Sequence, residues 1–497
     1  MRCRRLVPLA VVVAAAVAAI ATAAGAATVS PLVLVSGPSP FGGCTIGGPP
    51  GTNYVNAEVE PWVTVNPTAP SNVIGVFQQD RWSNGGAHGL VAAPSSSGGS
   101  AWGSTFAHFS LCSGGTLANG GNYDRASDPW VTFTPTGVAY QISLSANLPI
   151  FFGVSAVLVS KSTNGGLNWS EPATLARNDA SVAPFNFNDK ESITADPTDA
   201  SGQRVYAVWD RSRFPSDSAD FNALHSFAFR GDIIFSRTTN GGASWEPARD
   251  ILNGNANLFT SGNQIAVEPD GTLVDIFGLT RGSGNQRSPN QFLEAVIRST
   301  DHGLTWSDPI VIATDMSVPV RDPDTGAGVR TGAGLPDIAV DPNDGTLYAV
   351  WADGRFSGGA HDDILFTKST DGGRTWSMPI KINQTPDGAA AFTPSVHVLP
   401  NGTVGVTYYD FRNNTAAAGA PTDYFIVISS DGGAHWSESR ITPVSFDIET
   451  APVAGGYFLG DYEGLDNVGN AFLPLFVMTN SGNTSNRTDV FAATVTP

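Results

Sequence analysis

Short stretches in which apolar and polar residues alternate recur along the whole chain, separated by turns rich in Gly, Asp, Asn and Pro. One unit shows all of its parts. Residues 337–341 and 347–351 alternate and flank a turn at 342–345, and further strand patterns cover 363–368 and 376–382. Because successive side chains of a strand point to opposite faces, this alternation predicts four half-buried strands in one antiparallel sheet.

The first half of this unit, a strand, a tight turn and a second strand, occurs seven times. Its copies begin at Glu60, Asp128, Glu191, Gln264, Asp337, Ser395 and Asp461. The last copy continues into strand patterns near 471–478 and 489–495 but has no fourth strand, whereas residues 29–35 read as a strand that belongs to no copy. We therefore expect the N-terminal strand to complete the last sheet, because ring closure removes the open edges of a linear array.

Four-stranded units repeated at intervals of roughly 60–75 residues are typical of a β-propeller. The sequence thus predicts an all-β fold with one propeller domain over residues 27–497. Seven blades is the favoured number, and six is the alternative. No linker or low-complexity segment divides this region.

Residues 1–26 are predicted to be a secretory signal peptide, because early arginines precede an Ala/Val-rich apolar stretch and a small-residue cleavage site at 24–26. The alternative is a membrane anchor, which the shortness of the apolar stretch disfavours. We expect a secreted protein. Two cysteines follow, Cys44 and Cys112, and an oxidising compartment favours a disulfide between them over two free thiols.

A second repeat marks the turn after the third strand of a unit. Its clearest copy is S-T-D-G-G-R-T-W at 369–376. The other copies lie at 162–169, 238–245, 299–306 and 429–436, with a degenerate copy at 95–102. In this motif Asp or Asn is expected to bond backbone N–H groups, Gly to supply a positive φ, and Trp to fill an apolar gap. The motif is therefore predicted to be structural.

The repeated turn resembles the Asp-box, S-x-D-x-G-x-T-W, which is named from bacterial sialidases and is shared by several propeller families. The resemblance implies a propeller of the sialidase-like superfamily. It implies little about function, because these boxes are structural. The sialidase fold has six blades, so the seven units of this chain depart from it.

The net charge of −18 and a pI near 4.6 disfavour nucleic acid and anionic membranes as partners. The seven histidines show no metal-ligand spacing, and no motif points to a nucleotide, flavin or haem. We expect no cofactor, with Ca²⁺ on oxygen ligands of residues 361–363 as the alternative. A monomer acting on a glycan or glycoconjugate is the expected state.

The long loops are predicted on the face opposite the repeated motif, where function usually lies. Second strands end there in acid–arginine pairs, which could bind a sugar acid through bidentate contacts or serve as structural salt bridges between blades. The substrate-binding candidates are Asp80, Arg81, Asp210, Arg211, Arg281, Asp353, Arg355, Asp410 and Arg412. Cys44 and Cys112 flank the first blade on this rim.

The catalytic candidates are the residues that break the repeat. They are Glu191 in the third unit and the cluster Asp461, Tyr462 and Glu463 in the last. Sialidases hold the substrate carboxylate with three arginines and use a Tyr activated by a Glu as nucleophile and an Asp as acid/base. The resemblance therefore implies a nucleophile at Tyr462, with Glu60 or Glu191 as its base, because Glu463 would point to the other side of the strand. An Arg-Ile-Pro motif near the N-terminus is missing.

Three hypotheses follow. The chain is a secreted sialidase-like glycoside hydrolase, another glycan-active enzyme that uses two carboxylates directly, or a non-catalytic propeller that binds a glycan or protein through the same rim. A hydrolase requires two carboxyl groups facing one cavity at about 5–10 Å, and a binding module does not.

Overall fold

The computed structural model describes residues 27–48, 50–218, 229–253, 258–282 and 290–497. The predicted signal peptide lies outside these ranges. Regular structure in the described part consists of β-strands and three short 3-10 turns, Leu111–Ser113, Arg355–Ser357 and Ile448–Thr450. The all-β prediction is confirmed. None of the described helices is long and apolar enough to cross a membrane.

The N-terminal half forms three antiparallel units after two short strands. The short strands are β1 (Thr28–Val29) and β2 (Val33–Leu34). Unit 1 contains β3 (Glu58–Val65), β4 (Val73–Arg81) and β5 (Ala87–Ser95). Unit 2 contains β6 (Arg125–Phe133), β7 (Ala139–Ala146), β8 (Val154–Ser162) and β9 (Ala173–Asp179). Unit 3 contains β10 (Asn186–Ala195), β11 (Val205–Arg213), β12 (Arg230–Thr238) and β13 (Arg249–Leu252).

The C-terminal half adds four units. Unit 4 contains β14 (Leu258–Val267), β15 (Leu273–Arg281), β16 (Gln291–Ser299) and β17 (Ile310–Thr314). After β18 (Val329–Arg330), unit 5 contains β19 (Asp337–Val340), β20 (Leu347–Asp353), β21 (Asp363–Ser369) and β22 (Ile380–Lys381). Unit 6 contains β23 (Ala391–Val398), β24 (Val404–Asp410), β25 (Pro421–Ser429) and β26 (Ser437–Arg440). After β27 (Phe446–Asp447) and β28 (Tyr457–Phe458), unit 7 contains β29 (Gly464–Val468), β30 (Ala471–Thr479) and β31 (Thr488–Ala492), and β32 (Val495–Thr496) ends the chain.

Each unit is a meander in which neighbouring strands pair antiparallel. The fourth strands vary in length, from seven residues in β9 to two in β22, which spans only two of the seven residues predicted for it. In unit 1 an isolated bridge between Ala92 and Thr105 stands in the place of a fourth strand.

The two ends of the chain meet in unit 7. Strand β2 pairs antiparallel with β31, Val33 opposite Ala492 and Leu34 opposite Phe491, and so supplies the fourth strand that this unit lacks. Strand β1 pairs with β32. The first strands of the units also contact one another in chain order, and β29 of unit 7 contacts β3 of unit 1. Contacts between neighbouring units therefore run in a complete circle.

The core lies between the facing sheets of neighbouring units. One cluster joins Trp130 and Ile142 of unit 2 to Ile193 and Trp209 of unit 3. Another surrounds unit 7 and includes Val35, beside the N-terminal strand that was added to it. Burial of these aliphatic and aromatic side chains is what holds adjacent units together.

The repeated motif forms a compact turn stabilised by its own side chains. Ser299 Oγ donates to Asp301 Oδ1 at 2.8 Å and accepts from Gly303 N at 2.8 Å. Hydrogen bonds from the hydroxyl and N–H of Thr305 lower the pKa of Asp301 to about 2. The Asp301 side chain therefore stays ionised. Its hydrogen bonds stabilise the turn in place of strand pairing.

The tryptophans of the motif reach the preceding unit. Trp436 of unit 6 packs edge-on against Phe366 of unit 5, with ring centroids 4.9 Å apart, and Trp306 of unit 4 packs against Phe235 of unit 3 at 5.5 Å. Edge-to-face contacts of this kind add to the hydrophobic contribution of the buried rings. The turn is thus also a contact between neighbouring units.

Cys44 and Cys112 are joined by a disulfide with a Cα–Cα distance of 5.6 Å. The bond connects the segment before unit 1 to the 3-10 turn after it. It therefore ties together the two connections that flank β3–β5, on the side of the molecule where these loops lie.

The packing between motif and preceding unit predicts a large difference between two adjacent glycines. Gly433 and Gly432 both have positive φ, +88° and +68°. A Cβ at Gly433 would lie 2.5 Å from Phe366 Cε1, whereas the nearest atom to a Cβ at Gly432 is 3.6 Å away. We expect Gly433→Ala to lower the free energy of unfolding by about 1–3 kcal/mol more than Gly432→Ala. Equal losses in urea titrations would contradict this packing.

Candidate active site

The first strands of five units share a local break in pairing. The register shifts within β3, β6, β10, β14 and β23, so that each carries a β-bulge. The bulges contain residues with positive φ, namely Glu60, Asp128, Lys190, Gly262 and Thr393. Any residue other than Gly is strained at positive φ, and strained residues of this kind cluster at functional sites.

A cavity of about 190 Å³ opens beside these bulges. Its charged lining consists of Arg81, Arg125, Asp128, Asp189, Lys190, Asp210, Arg330 and Asp461. Its apolar lining consists of Leu144, Ala146, Ile150, Phe151, Phe187, Phe259 and Leu335. The residues come from units 1 to 4, from the connection before unit 5 and from the segment before unit 7. One wall is therefore charged and the other apolar.

An ion pair between Arg330 and Asp461 joins two connections at the cavity. Arg330 Nε donates to Asp461 Oδ1 at 3.0 Å, and its Nη2 contacts Oδ2. The parallel pairing of β18 with β28 sets Arg330 opposite Phe458, three residues before Asp461. A Cβ at Gly332 would collide with the backbone of Asp461, so Gly permits this close approach.

The pKa values of the cavity carboxyl groups are shifted in opposite directions. Burial opposes ionisation of Asp461, but Arg330 outweighs it and lowers the pKa of Asp461 below its ordinary value. Burial, together with the nearby carboxyl groups of Asp128 and Asp210, raises the pKa of Asp189 to about 8. Burial also raises the pKa of Asp210 to about 7, against hydrogen bonds that include one from Gly262 N. At neutral pH the cavity thus holds both an ionised and a protonated carboxyl group.

Tyr462 lies beneath the cavity in an aromatic cluster and is 8% exposed. Its hydroxyl donates to the carbonyl of Pro129 at 3.2 Å. Lys190 Nζ lies 3.4 Å from the centroid of its ring, and Trp62 and Trp130 stack beside it. Burial, followed by the charges of Glu60 and Asp128, raises the pKa of Tyr462 well above its ordinary value. The hydroxyl is therefore neutral and directed to the backbone.

Two arginines of the cavity have no ion-pair partner among the described residues. Arg81, 2% exposed, donates to Gln78 Oε1 at 2.7 Å and lies over the Phe458 ring. Arg125 donates to backbone and amide oxygens, including Gly85 O at 2.6 Å, and lies over the ring of Trp82. The hydrogen bonds that position these guanidinium groups thus come from neutral partners.

The other predicted arginines do not line this cavity. Arg211 pairs with Asp232 at 2.8 Å, and Arg412 contacts Glu438. Both partners belong to the same unit as the arginine, so these ion pairs connect strands within a unit. Arg355 pairs with Asp353 at 2.8 Å. Arg281 ends β15.

Some of the predicted acids line the cavity and others do not. Asp210 and Asp461 line the cavity, whereas Asp80 accepts hydrogen bonds from Ser39 Oγ and Asn56 N. Asp353 accepts from Met316 N, and Asp410 accepts from Thr385 Oγ1. These three acids therefore fasten loops to their own units.

Glu191 and Glu463 are fully buried. Burial raises the pKa of each well above its ordinary value. Glu463 lies near Tyr409 and Tyr424, on the opposite side of the strand from the aromatic cluster of Tyr462. Neither Glu lines the cavity.

Sequence reasoning overlooked Asp189, Arg125 and Arg330. Asp189 lies two residues before Glu191, which breaks the repeat, so the same argument could have found it. Arg330 sits in the long connection 315–334, and no repeat pattern marks it.

The residues considered for Ca²⁺ are held apart. Asp363 pairs with Lys381 at 2.7 Å, whereas Asp362 faces a different cavity. Within the described ranges, no group of three His, Cys, Asp or Glu side chains is arranged to hold a metal ion.

Comparison with known proteins relates part of the chain to glycan-active enzymes. No protein-family model matches it. A xyloglucanase of Paenibacillus sp. is 25% identical over 239 residues, 43% of this chain and 20% of that protein. A sialidase of Bacteroides fragilis is 27% identical over 228 residues, 42% of this chain and 37% of that protein. The matched region thus spans less than two fifths of either relative.

Solved structures with a similar chain path include a Hadza microbial sialidase, with a TM-score of 0.49 and 14% identity over 86% of this chain and 74% of that one. Another is the α-L-arabinanase of Penicillium chrysogenum, with a TM-score of 0.48 and 10% identity over 94% of this chain and 98% of that one.

The ion pair at the cavity predicts a pH-dependent loss of stability in Arg330→Met. The lowered pKa of Asp461 means that the pair stabilises the fold above the unfolded carboxyl pKa of about 4, and that this contribution disappears as the pH falls through the folded value. The melting temperature of Arg330→Met should therefore fall furthest below wild type near neutral pH, and the gap should narrow toward about pH 3.

The matched control is Arg321→Met in the same connection, since Arg321 is exposed and its guanidinium donates to Gly326 O at 3.1 Å. Its melting temperature should follow wild type at every pH. A gap for Arg330→Met that stayed constant with pH would exclude the proposed coupling to Asp461.

Proposed function

We propose that the protein is a glycoside hydrolase built on a closed seven-bladed propeller and that two carboxyl groups of the central cavity perform its chemistry. The observation that carries this proposal is the pair Asp189 and Asp461, which line one cavity and have pKa values shifted in opposite directions. A protonated acid beside an ionised carboxylate is the requirement for cleaving a glycosidic bond.

The seven-bladed arrangement is supported by the seven antiparallel units and by the circle of contacts between their first strands. The addition of β2 to β31 in unit 7 supports closure by the N-terminal strand. On this fold the cavity lies where the first strands of several units approach one another, which is a usual location for a ligand site.

Asp189 is assigned the role of general acid, because its pKa of about 8 keeps it protonated at neutral pH. It gives its proton to the oxygen of the leaving group. Asp461 is assigned the ionised partner, which attacks the anomeric carbon or activates a water molecule. Arg330 holds Asp461 in its charged form and orients both oxygens.

A sialidase mechanism with Tyr462 as nucleophile is less well supported. Its hydroxyl donates to Pro129 O, its pKa is raised rather than lowered, and neither Glu60 nor Glu191 is in hydrogen-bond contact with it. An activated nucleophile needs an adjacent base or a depressed pKa. Tyr462 is therefore assigned a positioning role beneath Lys190.

The substrate is proposed to be a glycan with an acidic sugar. Arg81 and Arg125 face the cavity without carboxylate partners, and a substrate carboxylate would supply the opposite charge. The partial matches to a sialidase and to xyloglucanases agree with a glycan as substrate. We also propose that the enzyme is secreted and monomeric, with secretion supported by the pattern of residues 1–26 and by the Cys44–Cys112 disulfide.

The opposite pKa shifts predict a bell-shaped pH profile of kcat/KM. Activity should fall on the alkaline side as Asp189 loses its proton near pH 8. It should fall on the acidic side below about pH 4, as Asp461 gains one. Hydrolysis of fluorogenic glycosides of sialic and uronic acids between pH 3 and 10 measures both limbs. An alkaline limb that Asp189→Asn leaves in place would remove Asp189 from the role of acid.

Variants distinguish the two mechanisms. Asp189→Asn and Asp461→Asn should each lower kcat by about 10²–10⁴-fold, whereas Tyr462→Phe should retain most of the activity. Asp250→Asn, a partly exposed acid outside the cavity, is the control. Loss of turnover in Tyr462→Phe at an unchanged melting temperature would favour the sialidase mechanism. A folded wild type that binds glycans on an array and hydrolyses none would be a binding propeller.

A further inference from the structure

A second cavity, of about 380 Å³, adjoins the charged one. The two share Gly85, Ile150, Phe151 and Arg330 in their linings. A ligand seated beside Arg330 and Asp461 can therefore extend past Ile150 and Phe151 without leaving the protein surface.

The second cavity is lined mainly by one apolar segment. Residues 148–152, Leu-Pro-Ile-Phe-Phe, connect β7 to β8 in unit 2, and all five side chains contribute to the lining. We call this segment the apolar shelf. Phe151 is 40% exposed. An exposed phenyl ring among four further apolar side chains is a costly surface in water unless a ligand covers it.

The shelf is held in place by the units around it. Phe151 packs against Phe187 of unit 3 with ring centroids 5.2 Å apart, and Leu148 N donates to Asp124 Oδ2 at 2.9 Å. The ends of the segment are joined by the hydrogen bond from Asn147 N to Val154 O, at 2.8 Å. The apolar surface is therefore formed before any ligand arrives, which lowers the entropy lost on binding.

The polar groups that face the shelf are already used within the protein. Asn84 contacts Pro50 O through its amide nitrogen and accepts from Arg125 through its amide oxygen. Ser83 Oγ accepts from Thr52 N at 2.9 Å. A second sugar needs donors and acceptors for its hydroxyl groups, and these partners are engaged elsewhere. An apolar group requires none.

We propose that the second cavity binds an apolar leaving group, aromatic or alkyl, of the glycoside whose sugar occupies the charged cavity. This inference rests on the proposed hydrolase function. Hydrolysis breaks the bond between the anomeric carbon and the leaving oxygen, Asp189 gives that oxygen a proton, and water supplies the hydroxyl on the anomeric carbon. The product released from the shelf is an alcohol or a phenol.

The first test compares two substrates that share one sugar and differ in the leaving group, a nitrophenyl and a glyceryl glycoside. Phe151→Ser should lower the ratio of kcat/KM for the nitrophenyl glycoside to kcat/KM for the glyceryl glycoside about tenfold, the value of burying much of one phenyl ring. The control is Phe356→Ser in the 3-10 turn Arg355–Ser357, since Phe356 is 52% exposed and lines neither cavity. Equal losses on both substrates would overturn the proposal.

The second test needs no turnover. Free 4-nitrophenol is titrated into the full chain by calorimetry, with Phe151→Ser and Phe356→Ser as variants of matched melting temperature. If Phe151→Ser alone weakens 4-nitrophenol binding at least about fivefold, the shelf is a binding site for apolar groups. This holds even if wild type hydrolyses no glycoside, and in that case only the hydrolase function fails. Hydrolysis of glycosides together with phenol binding that Phe151→Ser leaves unchanged would reject the shelf and leave the hydrolase function standing.

Discussion

The contact between the first strands of successive units is the constraint on which the rest of the structure depends. Each first strand must pack against the next, and β29 of the last unit must pack against β3 of the first. Strand β2 pairs with β31 and covers the otherwise open edge of unit 7. Burial between facing sheets and the Trp of the repeated motif then fasten each unit to its predecessor.

The same crowding generates the chemistry of the site. Bulges in the first strands carry Glu60, Asp128 and Lys190 at positive φ, so charged residues are brought together where water is scarce. Desolvation raises the pKa of Asp189, while the contact with Arg330 lowers that of Asp461. Strand packing thus shifts the pKa values of two aspartate side chains in opposite directions, so that Asp189 is an acid and Asp461 an anion at neutral pH.

Sequence patterns anticipated the fold better than the site. Alternation predicted the strands, and the repeated turn marked the end of the third strand in six units, since both depend on local rules of strand geometry and turn chemistry. For the acid–arginine pairs, the sequence left open whether they bind substrate or form structural salt bridges. In the structure, Arg211 and Arg412 form ion pairs with acids of their own units. Of the residues in the acid–arginine pairs, only Arg81 and Asp210 line the cavity. Strand β22 spans two residues, whereas the alternating pattern predicted seven.

The sequence by itself determined the all-β class, the order of the strands and the residues that form each turn, because neighbouring residues suffice to specify them. Only the tertiary structure decided which charges meet. Arg330 and Asp461 are far apart in the chain, yet Arg330 Nε donates to Asp461 Oδ1 in the folded structure. Likewise, only the tertiary structure places the apolar shelf of residues 148–152 next to Arg330 of that ion pair. Electrostatics and desolvation act through space, so they follow the packing of the units rather than the order of the residues.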